Sequence, residues 1–127
     1  MNLILVGSSV HAGFPSPEDD FIETNISLDQ ELIRNKEATF YARVEGDCMK
    51  DANIHDGDLL VIDRSLAPQN NKVAVCYIDG EFTVKRLQIE EDHILLMPEN
   101  KNFSPIKVTE ENDFIILGIV TYVIKKV

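Results

Sequence analysis

Residues 73–87 read VAVCYIDGEFTVKRL, and this stretch carries the clearest structural signal in the chain. Two runs rich in branched and aromatic residues flank Asp79 and Gly80, a dipeptide that favours a type I′ turn with positive φ at both positions. The pattern predicts an antiparallel hairpin in which the strand Val73–Ile78 pairs with the strand Glu81–Leu87.

The segments outside this hairpin have the same β character. Short runs of branched and aromatic residues are separated by turn residues, which predicts a mainly β domain. These runs are Phe40–Val44, Leu59–Ile62, Ile94–Met97 and Phe114–Ile124. The body of the chain is therefore expected to be built from antiparallel sheet.

The first part of the chain differs from this body. Residues 1–26 are rich in Gly, Ser, Pro and acidic residues without a helix or strand period, so they are expected to form an extended arm. Ser27 and Gln30 then form a capping-box pattern that predicts a short helix near 28–35. Two regions are expected: the arm at 1–26 and a β-rich domain at 27–127.

Composition excludes several classes of function. The 127 residues include 22 acidic and 12 basic side chains, a formal charge of −10 that disfavours direct nucleic-acid binding. Neither of the two cysteines lies in a pattern spaced for zinc, and no apolar run is long enough to span a membrane. A cytoplasmic protein without a metal or cofactor is expected.

The segment GDCM at 46–49 follows the strand predicted from the Phe40–Val44 run, so a loop at the end of a strand carries the thiol of Cys48. A cysteine there is a possible nucleophile. Taken alone, the pattern favours a small buried hydrophobe, which is the commoner role of a free cysteine. Cys76 lies within a strand and is expected to be a core residue.

Lys85 lies in the second strand of the hairpin, where alternation puts it on the same face as Thr83 and Leu87. Burial disfavours a charged ammonium group, so a lysine on an apolar face can serve as a general base toward a nearby hydroxyl or thiol. Alternatively, the Lys85 side chain extends to solvent, or Arg86 rather than Lys85 is the charged residue that departs from the strand pattern. His55, in a turn, is a weaker alternative partner for Cys48.

Four segments taken together resemble the LexA/UmuD-like family of serine/lysine self-cleaving proteins, peptidase S24. They are AGFPSP at 12–17, GDCM at 46–49, DGDL at 56–59 and DGEFTVK at 79–85. Their order and separations resemble the cleavage segment, nucleophile loop, following turn and lysine strand of that family. The conjunction is more specific than any single motif.

The resemblance implies the family's C-terminal peptidase fold of curved antiparallel sheets, with one short helix and an extended N-terminal arm. It implies that Lys85 is the general base and that the bond between Ala12 and Gly13 is cut. Cys48 stands where the family has its nucleophilic serine. The backbone N–H of Cys48 is the expected oxyanion donor, because acyl transfer needs a donor aimed at the developing charge.

The resemblance also implies a role in the SOS response. Proteins of this kind are homodimers that cleave themselves on contact with a RecA filament on single-stranded DNA. The shortened product then joins a UmuC-like translesion DNA polymerase. Neither a membrane nor direct contact with nucleic acid is expected.

Three other interpretations remain open. The chain could be the protease domain of a LexA-like repressor, although a helix-turn-helix does not fit before the predicted helix. It could be a non-catalytic dimeric adaptor of the polymerase in which Cys48 has lost the chemistry. A signal-peptidase-like enzyme is less favoured, because no membrane anchor is predicted.

Overall fold

The computed structural model describes residues 26–127 and, before them, only two short strands, β1 (Leu5–Val6) and β2 (Ile22–Glu23), which pair in parallel. The chain divides into two units, Met1–Arg34 and Asn35–Val127. The predicted boundary between residues 26 and 27 stays a prediction. The expected cleavage segment, with Ala12 and Gly13, lies outside the described residues.

The first unit contains the one α-helix among the described residues, α1 (Leu28–Leu32), which ends three residues earlier than predicted. Ser27 occupies the N-cap position, but its side chain makes no capping hydrogen bond, so the capping box with Gln30 does not form. Extended backbone at Ile33 ends the helix. None of its residues is buried, and a helix this short gains little stability without packing.

The second unit is a seven-stranded antiparallel sheet, which confirms the mainly β prediction. The strands are β3 (Thr39–Arg43), β4 (Leu59–Asp63), β5 (Val73–Ile78), β6 (Glu81–Ile89), β7 (Ile94–Met97), β8 (Ile106–Val108) and β9 (Phe114–Ile124). Their order in the sheet is β3-β4-β9-β5-β6-β7-β8. The short strand β8 was not predicted, because it has only three residues and directly follows a proline.

The hairpin of β5 and β6 forms in the predicted register. Val75 pairs with Val84, and Ile78 pairs with Glu81 on either side of the turn. Asp79 has φ 46° and Gly80 has φ 93°, the signs that a type I′ turn requires at both positions. The turn chemistry therefore fixes which residues of β6 face which residues of β5.

Buried side chains form two clusters, and alternate residues of β5 contribute to each. Cys76 belongs to the first cluster and has no exposed surface, which confirms the prediction that it is a core residue. Register shifts where β9 meets β4 and β5 are the irregularities that bend sheets. The first cluster is Ala74, Cys76, Ile78, Leu87, Leu96, Val108 and Ile119, and the second is Met49, Ile54, Leu60, Ile62 and Val75.

Among the residues that the structure describes, no helix has both the length and the apolar character needed to cross a membrane.

Candidate active site

The loop that carries Cys48 begins where β3 ends. Gly46 has φ 88°, a backbone conformation that side chains disfavour, and its N–H donates to the Asp56 carboxylate at 2.8 Å. Met49 and Ile54 are buried in the second core cluster on either side of a short 3₁₀ turn. These two anchors hold the loop against the sheet while Cys48 itself stays half-buried.

Lys85 and Cys48 lie together. The Nζ of Lys85 donates to the Sγ of Cys48 at 3.2 Å, and the lysine side chain is only 6% exposed. The alternative in which Lys85 extends to solvent is therefore wrong. Cys48 Sγ also lies 3.5 Å from the carbonyl oxygen of Val84, the residue before the lysine. A thiol and an amine at hydrogen-bonding distance are the groups that nucleophilic catalysis with a general base requires.

Thr83 is a second partner of Lys85. Its hydroxyl oxygen accepts a hydrogen bond from the Lys85 Nζ at 2.5 Å. The two residues are two apart in β6, so strand alternation puts both side chains on one face, as predicted. Their shared face was apparent from the sequence, but the role of the hydroxyl as an acceptor for the lysine was not.

The site lies beside a strand that is paired only in part. The partner strand β7 pairs with β6 only from Arg86 to Ile89, so among residues 26–127 the segment 81–85 pairs with β5 alone. An open cleft of about 220 Å³ lies next to Cys48 on this side of the hairpin. Its lining is mostly apolar, with two charged residues, and consists of Ala42, Arg43, Val44, Glu45, Cys48, Met49, Val75, Phe82, Thr83 and Val84.

The loop between β3 and β4, residues 44–58, carries the candidate nucleophile Cys48 and is called the nucleophile loop below. The segment after β7 holds this loop by three hydrogen bonds. The backbone N–H of Glu99 donates to the carbonyl of Cys48 at 2.8 Å, and the carbonyl of Glu99 accepts from the N–H of Asp51 at 2.7 Å. The side-chain amide of Asn100 donates to the carbonyl of Asp47 at 2.9 Å. Sequence analysis did not find this contact, because nothing in a single sequence signals a hydrogen bond between residues so far apart.

Glu99 also connects this segment to the lysine strand. Its carboxylate accepts from the Nε of Arg86 at 2.5 Å, and another nitrogen of that guanidinium donates to the Asn71 carbonyl at 2.6 Å. Arg86 is adjacent to Lys85 in β6. One residue, Glu99, therefore bonds to both the nucleophile loop and the strand that carries the amine.

The other titratable residues from the sequence analysis lie elsewhere. The Nδ1 of His55 lies 3.2 Å from the Nζ of Lys125, whereas within residues 26–127 the sulfur of Cys48 bonds to Lys85 and Val84. Burial raises the pKa of the Cys76 thiol to about 12, and the charge of nearby Lys85 opposes that shift. Cys76 is therefore held as a neutral thiol in the core.

Comparison with known proteins points to one family. Residues 4–121 match the family described as Peptidase S24-like. Protein MucA of Salmonella typhimurium is 40% identical over 114 residues, which is 89% of this chain and 77% of that protein. Protein SamA of the same species is 43% identical over 115 residues, 91% of this chain and 79% of SamA. LexA repressor 1 of Geobacter sulfurreducens is 38% identical over 114 residues, 89% of this chain and 56% of the repressor.

Proposed function

We propose that this chain, which belongs to the Peptidase S24-like family, cleaves its own N-terminal segment. The family is of the self-cleaving kind, and the relatives MucA, SamA and ImpA make the chain UmuD-like. In this proposal Cys48 is the nucleophile, Lys85 is the general base, and the bond between Ala12 and Gly13 is the substrate. The observation that carries it is the distance of 3.2 Å between Lys85 Nζ and Cys48 Sγ.

The first half of the reaction forms a thioester. Neutral Lys85 takes the thiol proton of Cys48 while sulfur attacks the carbonyl carbon of Ala12, and the π electron pair moves onto oxygen. When that pair returns, the bond to the Gly13 nitrogen breaks and the nitrogen takes the proton from Lys85. The products are an acyl group on Cys48 and a free amino group at Gly13.

The second half consumes one water molecule. Lys85, again neutral, takes a proton from water, and the hydroxide oxygen attacks the thioester carbon. The bond between carbon and the sulfur of Cys48 breaks, and the proton returns to sulfur. Thr83 supports both halves, because its hydroxyl accepts from the lysine nitrogen and holds it beside the sulfur.

The substrate needs no separate recognition motif in this proposal. A segment tethered to the same chain is present at a high effective concentration, so a weakly binding cleft is sufficient. The mostly apolar cleft beside Cys48 suits the small or apolar residues Val10, Ala12, Gly13 and Phe14 around the expected bond. The edge of β6 at residues 81–85, which no strand of residues 26–127 covers, offers backbone groups to an extended peptide.

Intact mass spectrometry after incubation tests the cleavage directly. One sample contains RecA filaments on single-stranded DNA, and a second is incubated alone at raised pH, where more of any lysine is neutral. A product beginning at Gly13 is expected in both. It is expected to be absent from Lys85→Ala and from Cys48→Ala, and to persist in Lys107→Ala, a control at an exposed lysine outside the site.

Two results would contradict the proposal. Cleavage at Gly13 that persists in Lys85→Ala would remove the lysine from the mechanism. An uncut parent chain in both conditions would instead favour a UmuD-like adaptor whose Cys48 does not support cleavage.

We further propose the partners and the compartment that a UmuD-like role requires. The chain acts as a homodimer in the cytoplasm, responds to RecA filaments in the SOS response, and joins a UmuC-like translesion DNA polymerase. The formal charge of −10 supports contact with proteins rather than with DNA. Light scattering during gel filtration is expected to give twice the monomer mass, and a monomer at micromolar concentration would contradict the dimer.

A further inference from the structure

We propose that Asn100 is a positioning residue that aims the backbone N–H of Cys48 at the oxyanion of the reaction. This inference rests on the proposed function, because it concerns the same cleavage. It assigns a role in the chemistry to a side chain that does not line the cleft.

Asn100 is built into the fold rather than placed on its surface. The residue is only 4% exposed, and both the nitrogen and the oxygen of its side-chain amide form hydrogen bonds. The nitrogen donates to the carbonyl of Asp47 at 2.9 Å, and the oxygen accepts from the N–H of Asn102 at 2.9 Å. Because its oxygen is already an acceptor for a backbone N–H, the orientation of the amide is fixed.

The bond to Asp47 fixes the direction of the Cys48 N–H. The two groups belong to the same planar trans peptide, in which the carbonyl and the N–H point in opposite directions. Holding the Asp47 carbonyl toward Asn100 therefore holds the Cys48 N–H pointing away from Asn100. Within residues 26–127, this N–H is paired with no acceptor, so it is free to receive one.

The next peptide of the loop is held from the same segment. The N–H of Glu99 donates to the carbonyl of Cys48 at 2.8 Å. The carbonyls of Asp47 and Cys48 are therefore bonded to two consecutive residues, Asn100 and Glu99. The N–H of Lys50 is a second, weaker donor to the Asp47 carbonyl at 3.1 Å. Such preorganisation matters because a donor must already point at the developing charge when the nucleophile attacks.

Two variants of Asn100 test the role. Asn100→Asp keeps the size and the acceptor oxygen but cannot donate to the Asp47 carbonyl when ionised, and Asn100→Ala removes both bonds. Asn102→Asp is the matched control, because it makes the same change in charge at an exposed side chain two residues away. Thermal unfolding of each variant verifies that the protein used is folded.

The decisive probe is a peptide aldehyde with the sequence Val-His-Ala, which matches residues 10–12. The thiol of Cys48 adds to the aldehyde carbon, a bond forms between sulfur and carbon, and the thiol proton ends on the former carbonyl oxygen. That oxygen occupies the place of the oxyanion. The dissociation constant of the aldehyde is measured by mass spectrometry for each variant. The rate of self-cleavage and the rate of Cys48 alkylation by iodoacetamide are measured on the same proteins.

The expected result separates positioning from a merely structural role. Both Asn100 variants should cleave at least about tenfold more slowly and bind the aldehyde about tenfold more weakly, since losing one oxyanion donor costs about 10²–10³ in rate. Cys48 alkylation should stay within about twofold of the parent, because that reaction places no charge on a carbonyl oxygen.

The opposite outcomes are equally definite. If both variants cleave and bind the aldehyde as the parent does, or if alkylation falls in parallel with cleavage, the assignment of Asn100 is overturned while the proposed function stands. If the parent neither cleaves nor forms the aldehyde adduct, the proposed function fails and this inference fails with it.

Discussion

The hydroxyl of Thr83 shows how much of the candidate site depends on single atoms. The Lys85 nitrogen is bonded both to this oxygen and to the Cys48 sulfur. A long, flexible side chain held at two points has little freedom to leave the thiol. The hydroxyl thus contributes to the position of the proposed base.

We predict that Thr83→Val slows self-cleavage by about 10–100-fold, because the base loses the contact that fixes its position. Thr83→Ser restores the hydroxyl and should cleave within about threefold of the parent. The rate of appearance of the Gly13 product, followed by mass spectrometry, measures both. Equal rates for the valine and serine variants would show that the hydroxyl has no role.

Cys76 permits a prediction about pH. Burial raises its pKa from 9.0 to about 12, so the folded chain keeps the proton that the unfolded chain releases above pH 9. The stability from this group is fully present below pH 9 and is lost as the pH rises toward 12. At pH 10 the loss should be on the order of 1 kcal/mol.

Urea unfolding of the parent and of Cys76→Ala at pH 8 and pH 10 measures this loss. The parent should lose stability relative to the variant between the two values, because only the parent has this thiol. A difference that does not change with pH would contradict the buried neutral thiol. Iodoacetamide at pH 8 should modify Cys48 and leave Cys76 unmodified.

At the scale of elements, the β5–β6 hairpin was predictable, whereas α1 was predicted near 28–35 and ends earlier, at Leu32. The turn residues Asp79 and Gly80 determine the pairing locally, so the register of Lys85 followed from the sequence. The length of α1 depends on packing, and none of its residues is buried. Local turn chemistry is visible in sequence, whereas the absence of tertiary support is not.

The same distinction applies to the candidate site. Cys48 and Lys85 were identified from motifs at a loop and a strand whose positions the pattern predicted. The contacts of Glu99 and Asn100 with the nucleophile loop were missed, because they join segments about 50 residues apart and each uses at least one backbone group. Every residue has such backbone groups, so they leave no mark in the sequence.

Close packing between β9 and β4 gives a prediction at Gly118. A Cβ at this position would lie 2.6 Å from Cγ2 of Ile62 and 3.1 Å from the backbone oxygen of Asp63. Gly118→Ala should therefore lower the free energy of unfolding by about 1–3 kcal/mol. Urea unfolding measures this change.

Ile115→Ala is the control on the same strand. That side chain is 54% exposed, so its removal should cost well below the large losses seen for buried residues. If Gly118→Ala unfolds at the parent's urea midpoint, β4 and β9 can move apart at Gly118 without a loss of stability, and the prediction is wrong.

At the scale of the whole second unit, one ion pair joins residues far apart in the chain. Lys125, directly after β9, donates to the carboxylate of Asp58, which lies directly before β4. This bond, with the backbone N–H of His55, lowers the pKa of Asp58 below 3.8. The stabilisation is present above that pH and is lost as the pH falls through the lowered pKa.

We predict that Lys125→Gln lowers stability at pH 7 by about 1 kcal/mol or less, because the lysine is partly exposed to solvent. The difference from the parent should be smaller at pH 2 than at pH 7, because the carboxylate takes up a proton as the pH falls through its lowered pKa. Lys126→Gln removes the same charge from the exposed neighbour and should change stability less. Urea midpoints for the three proteins at both pH values decide between a specific pair and a general effect of charge.

The hydrogen bonds from Glu99 and Asn100 to the nucleophile loop also have a consequence during translation. Ribosomes add about 5–20 residues per second, so residues 49–100 take about 3–10 seconds to follow Cys48. Throughout that interval the nascent chain already contains its thiol and its N-terminal segment but lacks the donors that hold the loop. In the proposed mechanism, the order of synthesis therefore disfavours premature cutting of an unfinished chain, without an inhibitor.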